Sequence, residues 1–425
     1  MNKLKKHISN IRKSKDGRTL VANFGYLSLL QIAGYVFPLI TIPYLARVIG
    51  VDSFGKIAFA SAVIVWFENI ADWGFNFTAT RDVAQNRKDI DQVSEIFSNV
   101  IWAKTLLTLV VFILLLTLIL LIPTFRENST ILLVSFLLLP SNILFPQWMF
   151  QAFERMRYIT ILSLLAKLLF TLAVFVFIKE KSDFILQPLF TSLGAMLSGL
   201  IAMYFIIGKW GVKLKKPSLK SIFSAIRDST DVFINNLMPN LFDNFSTILL
   251  GFFGTPGSVG ILDAGKKIQS ISKRFFDILS RTFYPFLSRR IDKHNLYVKI
   301  NTYTATTMSL VLFIAAPLII KLLFTPEFYD GIIVLRIVSF SILFHSWANT
   351  FGINFMIIQG HERSLRNITF IWSLVGFFVA FPLVYYYDFI GAAITLTATR
   401  GLLGGHIMIK AKKIKKKKYT LKIEA

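Results

Sequence analysis

The sequence contains no cysteine, so it has no disulfide framework and no thiolate chemistry, and redox gives no clue to compartment. Acid is scarce: Asp and Glu number 23 against 47 Lys and Arg. Histidine is rarer still, and His7, His294, His345, His361 and His406 show no metal-ligand spacing. Nucleotide signatures are also missing. Residues 50–57 (GVDSFGKI) approach a phosphate-cradling loop, but Ile57 stands where a magnesium-holding hydroxyl is needed, and a long apolar helix precedes the loop where a strand is required. No cofactor and no ATP-driven step are expected, and the chain is read as a non-enzyme.

What is present is apolar length. Of 425 residues, 54% are hydrophobic and 42 are Phe, with a mean hydropathy of +0.61. So many runs of membrane-spanning length define an all-α polytopic membrane protein. Hydropathy and turn signals give about twelve transmembrane helices, at residues 20–45, 57–77, 98–121, 131–152, 159–178, 184–207, 230–252, 259–286, 300–323, 331–358, 367–387 and 389–409. The expected organisation is a basic N-terminus (1–19), a six-helix bundle (20–208), a basic linker (209–229), a second six-helix bundle (230–409) and a Lys-rich tail (410–425). The basic start followed by a long apolar stretch is an uncleaved first span, too long for a signal peptide.

The net charge of +24 could suggest nucleic acid, but its distribution argues against it. With the N-terminus inside, the outside loops carry only Arg47, Lys56, Arg126, Lys179 and Lys181. Most other cations fall in inside segments, a bias that sets orientation and puts both termini in the cytoplasm. The tail KAKKIKKKK directly follows a span, so anionic lipid headgroups are its simplest partner. No loop can hold a soluble domain. A polysaccharide polymerase or ligase would need a large outside loop, and a membrane glycosyltransferase would need clustered acids where only Asp89 and Asp91 lie close.

Residues 260–290 break the apolar pattern. At 3.6 residues per turn Asp263, Lys267, Ser270, Arg274, Asp277 and Arg281 share a face, with Lys266, Lys273 and Ser280 beside it. Ile261, Leu262, Ile268, Ile271, Phe275, Phe276, Ile278 and Leu279 lie opposite. From Lys267 to Arg281 the stripe climbs about 21 Å, most of a bilayer core. Charge at that depth normally faces a watery cavity. Lys266, Lys267, Lys273, Arg274 and Arg281 are therefore the candidate substrate-binding cations of a hydrated path. Two plainer readings stand beside this one: i,i+4 pairing of Asp263 with Lys267 and Asp277 with Arg281, and an amphipathic helix on the membrane surface.

Other spans also carry polar groups. Span two holds Glu68, Asn69 and Asp72, and span seven places Asn236, Asn240, Asp243 and Asn244 on one face. Lys104, Lys167, Lys321, Arg336 and Arg400 add further cations, Lys321 at a headgroup level it can reach by extending its stem. Glu68, Asp72, Asp243, Asp263 and Asp277 are candidates for ion coupling or for salt bridges. His345 reads as polar packing or as a proton carrier, packing being favoured because no acid is near it in sequence. The surplus of cations suits an anionic, phosphate-bearing substrate.

Residues 46–60 (ARVIGVDSFGKIAFA) and 251–264 (GFFGTPGSVGILDA) form similar Gly–turn–Gly links, consistent with two parallel repeats. Residues 23–60, 71–84 (ADWGFNFTATRDVA), 147–156 (QWMFQAFERM) and 283–289 (FYPFLSR) resemble the O-antigen, Wzx-type polysaccharide flippases, within the multidrug/oligosaccharidyl-lipid/polysaccharide exporter superfamily. The resemblance covers nearly the whole chain and implies two six-helix bundles around a central cavity, in a bacterial inner membrane. It implies transfer of a polyprenyl-diphosphate-linked glycan to the periplasmic leaflet by alternating access, alongside a polysaccharide polymerase and chain-length machinery. The superfamily's drug/cation antiporters, which favour acidic cavities, and a non-transport scaffold for polysaccharide enzymes are the alternatives.

Overall fold

Lipid offers the backbone no water to bond, so a chain this apolar must satisfy its amides within helices. In the computed structural model every regular element among the described residues is a helix. The described residues are 15–216, 218–238 and 240–423. The basic segment with Lys3, Lys5, Lys6, His7, Arg12 and Lys13 lies outside them, as do the side chains of Lys15, Arg18, Asn235 and the tail lysines Lys417, Lys418 and Lys422.

The helices are α1 (Lys15–Asp72), α2 (Phe75–Asn86), α3 (Ile90–Leu121), α4 (Pro123–Glu127), α5 (Ser129–Phe136), α6 (Leu138–Leu144), α7 (Gln147–Ala152) and α8 (Met156–Phe177). They continue with α9 (Leu186–Met203), α10 (Leu219–Leu237), α11 (Asn240–Asp243), α12 (Phe245–Phe253), α13 (Pro256–Arg289), α14 (His294–Leu323), α15 (Gly331–Trp347) and α16 (Glu362–Ile423).

Eight helical stretches are long and apolar enough to cross a membrane. Two of them, of 62 and 55 residues, exceed two crossings of about 20 residues. The chain leaves helical geometry inside each, at Gly50 (φ 72°) in the first and at Asp388 (φ 51°) in the second. At Asp388 the chain doubles back: a Cβ on Gly391 would lie 1.8 Å from the carbonyl oxygen of Leu383, whereas a straight helix holds such residues about 12 Å apart. The same reversal occurs around Gly50. Asn23 bonds the backbone at Glu154 and Met156, at the start of α8. Tyr44 donates to Ile178 O at its end, and Arg87 is back at Glu154. The two remaining crossings, α10–α12 and α13, carry too much charge to register as apolar spans. About twelve crossings result.

The chain forms two compact units: residues 1–48 with 63–236, and residues 49–62 with 237–425. In the first unit, Phe75, Val83, Phe97, Trp148 and Phe150 form the centre of a large core. The end of span two differs from the sequence expectation. The helix stops at Asp72, Gly74 takes the left-handed conformation that glycine tolerates (φ 82°), and α2 begins as a separate helix. Trp73 stacks on Phe233 at 4.0 Å, and Thr78 shares a hydrogen bond with Ser229 at 2.7 Å. Asp89 caps α3 by accepting from the amides of Asp91 and Gln92.

In the second unit, residues 49–62 pack closely on the start of α13. A Cβ on Gly55 would meet Pro256 O at 1.7 Å, so only glycine allows the approach. The two Gly–turn–Gly links are thus in direct contact. Thr255 caps α13 by accepting from Ser258 N, with Pro256 at the first helical position. The polar face expected to run from Asn236 to Asn244 is interrupted. α10 ends at Leu237 and α11 starts at Asn240, with Pro239, which has no amide hydrogen, in between.

Candidate functional site

α13 carries most of the charge in the second unit and is anchored by its apolar side, where Ile261, Leu262, Ile268 and Phe276 are buried. Its cations divide into two groups. Lys273 pairs with Asp243 at 3.2 Å, and Lys266 donates to Asp243 O at 2.7 Å and to Thr247 Oγ1 at 2.8 Å. Arg400, from α16, completes the cluster by donating to both carboxylate oxygens of Asp243 at 2.7 and 2.5 Å. Its side chain is only 6% exposed. Lys267 pairs with Asp263 one turn away and lies 4.3 Å from the centroid of Phe54.

Arg274 and Arg281 belong to the second group. Both are exposed, and neither has a hydrogen-bond or ion-pair partner among the described residues. They are seven residues apart, two helical turns or about 10 Å. Sequence spacing offered Asp277 as a partner for Arg281, but Asp277 is engaged elsewhere. It bonds His345 Nε2 at 2.6 Å and Asn349 Nδ2 at 2.9 Å. His345 therefore has an acidic partner, 68 residues away in sequence, that local spacing does not show.

This arrangement depends on a helical irregularity. Residues 348–357 after α15 form π-helix, in which residues five apart stack above one another. Asn349 and Asn354 consequently both face α13, Asn354 donating to Ser280 Oγ at 2.8 Å and to Tyr297 Oη at 3.0 Å. Nothing in the sequence period signals this turn.

In the first unit, Asp72 pairs with Lys104 at 2.7 Å, and the Lys104 side chain is 8% exposed. Glu68 lies one turn away and accepts from Asn142 Nδ2. Its partner is an amide, so no ion pair fixes its charge among the described residues. Two other intramembrane cations lie against aromatic rings: Arg336 lies over Phe313 at 5.4 Å and Lys321 over Tyr329 at 5.6 Å.

By its fold the chain is a polytopic helical membrane protein of two units, with a buried ion cluster in one and a carboxylate site in the other. The family model described as "Polysaccharide biosynthesis protein" matches residues 20–290, and the chain belongs to that family. A curated relative from Escherichia coli (strain K12), described as "Putative O-antigen transporter", is 29% identical over 393 residues, covering 91% of this chain and 95% of the relative. A protein of the same description from Shigella dysenteriae is 25% identical and covers 90% of this chain and 97% of its own length. Among solved structures, "Lipid II flippase MurJ, inward closed conformation" matches with a TM-score of 0.76 at 14% identity, over 92% of this chain and 87% of that one. An inward-facing multidrug resistance MATE family transporter of the MOP superfamily matches with a TM-score of 0.67 at 13% identity, over 92% and 97%. These two likenesses establish the fold.

Proposed function

We propose that the protein is a flippase that carries polyprenyl-diphosphate-linked oligosaccharide repeat units from the cytoplasmic to the periplasmic leaflet of a bacterial inner membrane by alternating access. The observation that carries the reading is the pair of unpartnered guanidinium groups, Arg274 and Arg281, on the helix where Lys266, Lys267 and Lys273 are each held by an internal partner. An exposed cation at membrane depth is expensive unless it meets water or an anion. A guanidinium fork matches phosphate oxygens in bidentate geometry. Full-length relatives described as O-antigen transporters support the same substrate class.

In this reading Lys266, Lys267 and Lys273 shape the site and set its potential, while Asp243, Asp263 and Asp72 serve as their fixed counter-charges. The Asp277–His345 pair takes the coupling proton, since imidazole and carboxylate can exchange one over 2.6 Å. Both termini are cytoplasmic, where the lysine tail meets anionic lipid, and the polymerase and chain-length machinery take the product on the other side. The experiment is deletion of the gene in a native host that has no second flippase. Loss of surface polymer, with lipid-linked repeat units accumulating on the cytoplasmic side, is expected. Normal surface polymer would refute the reading.

A further inference from the structure

The first unit contains a cavity of about 500 Å³ that the ion cluster of the second unit does not explain. It is lined by five carboxamide side chains, Asn69, Asn76, Asn142, Gln147 and Gln151, together with Glu68. Asn142 is bonded to Glu68 and Asn69 to its own helix at Val65 O. The amides of Asn76, Gln147 and Gln151 have no hydrogen-bond partner among the described residues. Two aromatic rings also line the cavity. Phe145 is buried, whereas Phe77 is 64% exposed.

The chemistry of this lining is selective. A carboxamide presents a donor and an acceptor in one plane, and a carboxylate presents two acceptors. Neighbouring hydroxyls on a pyranose ring need that combination, because each donates once and accepts once. The exposed face of Phe77 can cover the apolar C–H face of the same ring. Charge argues the same way. Asp72 is neutralised by Lys104 at 2.7 Å and Glu68 is bonded to an amide, so the cavity has no unpaired cation to offer a diphosphate or an acidic sugar. A hydroxyl-poor drug would strip water from the free amides and return no hydrogen bonds. No group of three acidic or histidine side chains able to hold a metal ion occurs among the described residues. The volume suits a mono- or disaccharide, at about 150–200 Å³ per hexose at protein packing density, and lies within the usual range of small-molecule sites.

We infer that this cavity is a sugar subsite that takes uncharged hexose or N-acetylhexosamine residues and determines which repeat unit is carried. The inference rests on the flippase reading and deepens it. Within this cavity the sugars are distinguished by Gln147, Gln151, Asn76 and Glu68.

The test uses the full-length protein in lipid nanodiscs and two kinds of fluorescent probe. One is a bare polyprenyl diphosphate; the other carries one of a panel of neutral disaccharides containing N-acetylhexosamine. Wild type is expected to bind at least one glycosylated probe tenfold or more tightly than the bare lipid. Q147A/Q151A should lose that preference and keep the bare-lipid affinity, which also shows that the variant is folded. N76A, at an exposed position, should lose part of it. Equal binding of every probe by wild type, or an undiminished sugar preference in Q147A/Q151A, would overturn the subsite and leave the flippase reading intact. Failure of wild type to bind any probe, bare lipid included, would overturn both.

Discussion

Substituting Asp243 by Asn separates structural from functional charge in the second unit. The carboxylate accepts from Arg400 at 2.7 and 2.5 Å and from Lys273 at 3.2 Å, and Lys266 bonds its backbone oxygen. Asn preserves shape and one acceptor but removes the carboxylate that Arg400 and Lys273 share. Removing one partner of a buried ion pair costs about 3–5 kcal/mol. Here the upper half applies, because like charges are also left facing one another. For a chain of 425 residues that corresponds to a fall in apparent melting temperature of about 5 °C. The assay is thermal unfolding of the detergent-solubilised protein, followed by loss of the monodisperse species. Adding Arg400→Met should restore most of the loss, since the pair is then removed together. R274A and R281A should melt with wild type. A melting temperature for D243N within about 1 °C of wild type would refute the claim that Asp243 is the counter-charge of this cluster.

Three further outcomes follow from the same reasoning. Gly55→Ala should destabilise the second unit by at least about 2–3 kcal/mol, because the new Cβ meets backbone that cannot rotate away; a variant that expresses and melts normally would contradict the packing. Lys104→Met should cost about 3 kcal/mol and the double variant D72N/K104M much less, which a thermal double-mutant cycle reads directly; additive losses would mean that the pair is not coupled. His345→Gln keeps a polar contact to Asp277 but cannot exchange a proton, so export should no longer respond to a collapsed pH gradient. An unchanged response would place coupling elsewhere.

The sequence and the structure agree where the signal is local. Lipid-facing runs are apolar for physical reasons, so the spans were legible, and the charged face of α13 followed from helical period alone. The pairing of Asp263 with Lys267 was also readable, because four residues is one turn. Partners brought in by other helices were not. Arg400 reaches Asp243 across 157 residues, and Asp277 turns from Arg281 toward His345 across 68. Lys266 and Lys273, which local spacing leaves over, are both held by Asp243 of a different helix, Lys266 at its backbone oxygen and Lys273 at its carboxylate. The break between α10 and α11 had a visible cause in Pro239, yet the polar face was still read as continuous across it. The π-helical turn after α15 has no period of its own in the sequence. The amide-lined cavity was illegible for another reason: isolated Asn and Gln residues on four different helices carry no pattern until the chain is folded.

The central claim is that Arg274 and Arg281 contact the substrate and do not hold the fold. The measurement that tests it most directly is repeat-unit export by R274A/R281A at matched protein level, in a host with no other flippase, scored as surface polymer and as accumulated lipid-linked intermediate. Each charge-assisted bond contributes about 1.5–3 kcal/mol, so export is expected to fall at least tenfold while the melting temperature stays at the wild-type value. Normal export by a stably folded double variant would contradict the account.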